Sequence, residues 1–348
     1  MRAMPDAAGH TLTLFLPGLF TPVPDVAGGA STRLPALETW LARAAPRTGL
    51  PRGAEAVLFA LFGADIPDDA DLPVAAVTRA LDLGVIDNGW WLRADPVHLH
   101  PQRDRLVLED SRRLELTQDE ATRLANEILE HYRADGWLLK AARPGRWYLK
   151  PPRAARIRTT PLAEVAGRDI HPYLPRGEEA KAWHTRLNEM QILLHTAKVN
   201  EERERAGKPS VNSLWFWGGG RLPKLAPVHW AGLWGEEPLS LAFARLAQVP
   251  SHARPAGFAA WRREADSTGG HLVVLDDLLA LQQEADSAAW QETLASLEHD
   301  WIAPLAGAVR AGTLPRAELI ADTGTRFVLT RAYARRWWRR RRPLAAYA

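Results

Sequence analysis

The 348-residue chain contains no cysteine. That excludes disulfides, thiolate metal ligands and cysteine nucleophiles together, and it fits a reducing compartment. No apolar run approaches the roughly 20 residues a helix needs to cross a bilayer. The first residues lack the basic region and apolar core of a secretory leader, and the run Thr11–Leu16 is too short to supply one. A cytoplasmic protein is therefore the expectation. Acid is missing from residues 331–348, which hold seven arginines and no Asp or Glu. The formal charge of +3 thus conceals a mildly acidic body at −4 and a basic C-terminal tail.

What remains is ordinary for a soluble globular chain: 46% hydrophobic and 24% charged residues. The length suits two domains, or one large domain carrying an insertion. Tryptophan is the exception. Fifteen indoles promise a core and clefts walled by large aromatic surface.

The chain opens as strand, loop and helix: Thr11–Leu16, then Pro22–Gly29, then a helix with Ser31 or Thr32 as cap and Leu34, Leu37 and Leu41 inward. That order predicts an α/β fold with a doubly wound sheet. Helices follow at 54–61 and 73–83. Trp90–Arg93, Val97–Leu99 and Leu106–Leu108 read as strands, Thr117-x-x-Glu120 as a capping box, and Trp137–Leu139 with Arg146–Leu149 as a strand pair. Residues 91–154 therefore look like a smaller α+β domain inserted into a core made of residues 1–90 and 155–330, with 331–348 as the tail. Further on, Trp183, Leu187, Met190 and Leu194 mark a helix, 250–270 a loop, His271–Leu275 a buried strand, and Glu318–Ala321 with Arg326–Leu329 a hairpin.

The stretch Asn200–Lys224 draws the most attention. A charged helix end closes at Gly207 and Pro209, and Val211–Trp217 follows as an apolar strand of the core sheet. Gly218, Gly219 and Gly220 come next, with Arg221 and Lys224 behind them. Glycine lets backbone N–H groups approach a ligand, and the two cations favour an anion. Gly218–Arg221, Lys224 and Asn212 are the candidate anion-binding residues, for a small phosphate or carboxylate group. The bland alternative is a tight turn with two solvated cations. Asp276, Asp277 and Asp322 stand at strand ends, where α/β sheets bind ligands, and are the candidate metal ligands if any metal is held. They could equally cap helices and fix turns.

The run Lys198–Pro223, with V-N-x-x-R-x-x-x-G-x-P-x-x-N-x-x-W-x-W-G-G-G-R-x-P, resembles the corresponding stretch of archaeal-type cofactor-independent phosphoglycerate mutases, of the alkaline phosphatase superfamily. The D-P-V-H-L run from Asp95 and the later E-A-x-x-L at Glu120 resemble that family's inserted domain, and Leu14–Leu41 its opening. The whole chain is similar to a bacterial branch grouped as RpfE-type regulatory proteins. The resemblance implies an alkaline-phosphatase-like sheet with an inserted domain. It also implies two metal ions held by a first-strand aspartate, a Ser or Thr nucleophile, and later D-x-x-x-H-D and D-H motifs. Here the first strand ends Leu16-Pro17-Gly18, and Asp322-Thr323 stands where Asp-His is implied. The one His-Asp pair, His299-Asp300, lies inside an amphipathic helix.

Those departures favour a non-catalytic, regulatory relative that needs no cofactor and keeps an anion pocket or a protein partner. No residue is assigned a catalytic role. An active metal-dependent phosphomutase or phosphatase is one alternative. A nucleic-acid or membrane-surface module built on Arg335–Arg342 and its two tryptophans is another.

Overall fold

The computed structural model describes residues 11–20, 33–67, 70–265, 269–284 and 286–347; the expected caps Ser31 and Thr32 lie outside the described residues. The strands, in chain order, are β1 Thr11–Phe15, β2 Ala45–Arg47, β3 Trp91–Gln102, β4 Arg105–Glu109, β5 Leu138–Arg143 and β6 Arg146–Lys150. They continue as β7 Ser213–Gly220, β8 Trp230–Trp234, β9 Ser251–His252, β10 Gly270–Val274, β11 Arg316–Ile320 and β12 Arg326–Thr330. They form a seven-stranded sheet in the order β2-β12-β11-β1-β10-β8-β9 and a five-stranded sheet, β4-β3-β6-β5 with β7 on β3. The chain divides into two compact units, 1–64 with 225–348, and 65–224.

In the first unit β1 is central. It runs parallel to β10 on one side and β11 on the other, with Phe15 opposite Val274 and Ile320. β8 extends the parallel part, while β12 and β2 close the other edge antiparallel. Leu12, Leu14, Leu272, Val273, Val274, Leu319 and Ile320 are completely buried, as apolar strands covered on both faces must be. The Pro35–Arg43 helix packs its Trp40 into this core, and the indole donates to the Phe327 carbonyl at 3.0 Å. Its first N–H groups, from Ala36 and Leu37, donate to the Glu298 carboxylate at 2.5 and 2.9 Å, so a distant side chain does the capping. The stretch 250–270 is more ordered than expected. Ser251–His252 adds an edge strand, and Phe258–Glu264 is a helix that turns Phe258 and Trp261 inward.

The second unit is organised by β3. Two strands were expected there, yet one twelve-residue strand runs through Pro96, which faces Leu214. β7 pairs with β3 from Val97↔Ser213 to Trp91↔Gly220, so Leu14 and Trp215 belong to different sheets. This corrects both the expected place of the Trp215 strand and the expected boundaries at 91 and 154. The physical reason is Asp95. Its carboxylate is fully buried and accepts from Arg93 Nε and Nη2 at 3.0 and 2.7 Å, from the Trp147 N–H at 3.1 Å and from Trp217 Nε1 at 2.8 Å. One acid thereby ties β3, β6 and β7 together, and a buried charge so partnered fixes register strongly.

The polar residues of the 199–212 stretch have structural partners. Asn200 bonds the Leu194 and Val211 carbonyls at 2.7 and 2.8 Å and accepts from the Val211 N–H at 2.9 Å. Arg203 is buried and donates to the Pro209 carbonyl, the Leu114 carbonyl and the Glu120 carboxylate. Glu120 is itself the third residue of the expected capping box at Thr117. The Ala180–His195 helix presents Trp183, Leu187, Met190 and Leu194 to this core, with Trp183 edge-on to Phe216 at 5.2 Å.

Replacing Arg203 strands three acceptors at once. Arg203→Ala is expected to lower unfolding free energy by about 3–5 kcal/mol, the range for breaking a buried ion pair. Urea denaturation followed by circular dichroism checks it, and a loss below about 1 kcal/mol would contradict the assigned bonds.

Candidate functional site

Two places were expected to carry chemistry, and they belong to different units of the chain. The three aspartates belong to the seven-stranded sheet of the first unit. The glycine loop belongs to the five-stranded sheet of the second.

At the seven-stranded sheet the strand order turns around at β1, where α/β folds receive ligands beyond the C-terminal strand ends. Asp276 follows β10 and Asp322 follows β11, on opposite sides of β1. Two strand spacings separate them, roughly 10 Å between backbones. Three residues beyond the strand between them, Gly18 lies in the left-handed region with φ 80°. A Cβ on Gly18 would come within 2.8 Å of the Leu279 nitrogen, in the backbone of the Asp277–Glu284 helix. No side chain fits at position 18 without displacing that backbone.

The carboxylates nearby have other partners. Asp277 forms an ion pair with Arg254 at 2.5 Å. Glu237 accepts from the Leu239 and Ser240 N–H groups at 2.9 and 2.6 Å and so caps the Pro238–Leu246 helix. Burial pushes the carboxyls of Glu237, Asp276 and Asp322 above their ordinary range, with Asp277 and Glu236 adding to the effect at Asp276. Among the described residues no group of three or more His, Asp or Glu is placed to hold a metal ion. His299 pairs with its neighbour Asp300 at 2.7 Å on the surface. Among the described residues the donor set does not fit a two-metal centre.

In the second unit, Gly218, Gly219 and Gly220 end β7 with a register shift against β3, an extra residue lying between Trp217 and Gly220. Gly218 takes φ 66° there, which a β-bulge requires of glycine. The space above the glycines is already filled by protein. Cβ atoms on Gly218, Gly219 and Gly220 would meet Val74 at 3.0 Å, Trp90 at 2.6 Å and Pro73 at 2.6 Å. The Gly218 N–H donates to Thr159 Oγ1 at 3.1 Å, and Thr159 Oγ1 and N–H both donate to Asp71. Burial pushes the Asp71 carboxyl up, against the pull of the Thr159 bonds and of Arg158.

The cations behind the glycines remain open to solvent. A cleft of about 760 Å³ is lined by Gly219, Gly220, Trp90, Arg156, Arg158, Arg221 and Lys224, and also by the acids Asp65, Asp71 and Glu178. Arg156 is paired with Glu178 at 2.7 Å. Arg221 donates to the Asn88 carbonyl. Among the described residues Arg158, Arg221 and Lys224 make no ion pair, and all three are exposed. Asn212 is not part of this cleft. It sits just before the far end of β7, where its amide accepts from the Leu99 N–H at 2.6 Å and donates to the Leu99 carbonyl at 2.9 Å. Arg158 was not expected at the cleft. It lies in a proline- and arginine-rich run that reads as a linker, and the basic character of that run was the available signal.

No protein-family model matches the chain. Over 195 residues it is 29% identical to the probable 2,3-bisphosphoglycerate-independent phosphoglycerate mutase of Geobacter sulfurreducens, covering 54% of this chain and 47% of the relative. Over 199 residues it is 28% identical to the 2,3-bisphosphoglycerate-independent phosphoglycerate mutase of Methanosarcina barkeri, covering 52% and 45%. The chain thus spans about half the length of the curated relatives it matches. Among solved structures, the cofactor-independent phosphoglycerate mutase of Thermoplasma acidophilum superposes with a TM-score of 0.44 at 17% identity, covering 92% of this chain and 90% of that one.

The strand-end carboxylates supply a pH test. Because burial raises the Asp276 carboxyl, the folded chain holds that proton more tightly than the unfolded chain. The ionised form weighs against the fold, and this penalty grows as pH rises from about 4 through the raised value. Asp276→Asn is free of it. The melting temperature of the variant minus that of the wild type should therefore move in the variant's favour from about pH 4 to neutrality, on top of any constant offset. A difference independent of pH would contradict the burial assigned to Asp276.

Proposed function

We propose that this chain is a non-catalytic relative of the 2,3-bisphosphoglycerate-independent phosphoglycerate mutases, of the RpfE-type regulatory kind, that acts by binding. The observation carrying this reading is the closed end of β1. A two-metal phosphoryl-transfer site needs ligands converging on one point, and here Gly18, three residues beyond β1, lies against the Leu279 backbone with no room for a side chain. Asp276 and Asp322 are left on separate strand ends, and Asp277 is held by Arg254. Without metals no group in the site can activate a nucleophile or clamp a transferring phosphoryl group.

The ligand in this reading is a small phosphate- or carboxylate-bearing molecule at the cleft rim, held by Arg221, Lys224 and Arg158. Arginine offers a planar fork of donors to such groups, while lysine adds a point charge. The glycines serve this rim indirectly. They let β7 bulge close under Pro73, Val74 and Trp90, which places Arg221 and Lys224 on the cleft wall.

The test has two arms. With manganese present, the purified protein should not interconvert 2- and 3-phosphoglycerate, and turnover abolished by Asp276→Ala would overturn the non-catalytic reading. In the second arm 3-phosphoglycerate and inorganic phosphate at several times their Kd should raise the wild-type melting temperature by roughly a few degrees. Arg221→Ala and Lys224→Ala should each blunt that rise. A rise left intact in both would remove the rim from the binding site.

A further inference from the structure

The segment that follows β12 is absorbed neither by the sheet nor by the cleft. It holds Arg331, Arg335, Arg336 and Arg339–Arg342 with no acid among them. The structure fixes it at both ends. On the near side, Arg43 donates to the Ala334 carbonyl at 2.7 Å, and the Arg336 guanidinium lies 4.0 Å over the Tyr333 ring. On the far side, Leu344 and Tyr347 pack on the main core, Tyr347 edge-on to Phe327 at 6.2 Å. Between these attachments the chain projects Trp337 and Trp338, 79% and 61% exposed, with Arg335 and Arg339–Arg342 exposed around them. Two large apolar side chains displayed on a fastened loop are a feature that folding alone does not explain.

The basic surface continues onto the body. A cleft of about 350 Å³ opens beside the loop, and its charged lining residues are Arg43, Arg310 and Arg341. Its remaining wall is mainly apolar, from Pro35, Ala36, Trp40 and Ala306 among others. Cations around a shallow apolar floor, next to exposed indoles, match the two layers of a membrane interface. Indoles settle at headgroup level, and arginines meet the anionic headgroups. A single-stranded nucleic acid fits less well. It stacks successive bases on open ring faces along a basic groove, whereas Trp337 and Trp338 meet at 87° with one edge against the other's face.

We propose that Trp337, Trp338 and the surrounding arginines, together with the Arg43–Arg310–Arg341 cleft, form a docking surface for an anionic lipid membrane. The contact is peripheral, and among the described residues no helix is long and apolar enough to cross a bilayer. It is independent of the reading given for the rim of the other unit.

Vesicle co-sedimentation of the full chain tests it. Wild type should pellet with phosphatidylserine–phosphatidylcholine vesicles, stay in solution with phosphatidylcholine alone, and be released by salt as exposed charges are screened. A variant with Arg339, Arg340, Arg341 and Arg342 all replaced by Gln should lose on the order of a hundredfold or more in partitioning. Trp337→Ala with Trp338→Ala should weaken it further at constant charge. These side chains are exposed, so both variants should melt as wild type does. No retention on anionic vesicles, or retention unchanged in both variants, overturns the proposal. Tighter binding to a single-stranded DNA oligonucleotide than to vesicles, lost with the two indoles, overturns it in favour of a nucleic-acid surface.

Discussion

Gly18, three residues beyond the central strand of the seven-stranded sheet, has no room for a side chain, with 2.8 Å from Cβ position to the Leu279 nitrogen. That approach lets the Asp277–Glu284 helix start directly over the strand end. Around it the acids turn to structural work: Glu237 caps a helix, Asp277 pairs with Arg254, and Asp322 accepts from the Gly18 N–H. Burial raises the carboxyls of Glu237, Asp276 and Asp322, and their ionised forms are a cost to the fold.

In the second unit the decisive contact is Asp95 with Arg93, Trp147 and Trp217. It accounts for residues that otherwise look functional. Trp217 is held in the sheet by its indole N–H, Trp215 donates to the Thr160 carbonyl, and Asn200 and Arg203 staple the preceding helix to its neighbours. The glycines then close the strand against Pro73, Val74 and Trp90. The stretch that most resembles the phosphoglycerate mutases is thus built mainly to hold a sheet, and its solvent-facing cations are what it offers a ligand.

Much of the first unit could be read in advance because its signals are local. Buried parallel strands show as continuous apolar runs, as at Leu12–Phe15 and His271–Val274; in the second unit the Thr117 capping box is likewise a short-range pattern. The β7 strand was misplaced because an apolar run does not say which sheet will take it; a buried acid 122 residues away, Asp95, decided that. Asn212 was grouped with the glycines by proximity in sequence, but an extended strand carries its two ends apart, and its amide is used by Leu99. The three aspartates were correctly placed at strand ends. That Gly18 lacks space is a property of helix packing, invisible in a list of residues.

The central claim is that the described acids around the end of β1 do not converge on one metal centre. Metal content measured by plasma emission, after equilibration with excess manganese and gel filtration, tests it most directly. The account predicts no metal retained in whole-number ratio to protein, for wild type and Asp276→Ala alike. Two manganese ions carried per wild-type chain, and lost in Asp276→Ala, would contradict it.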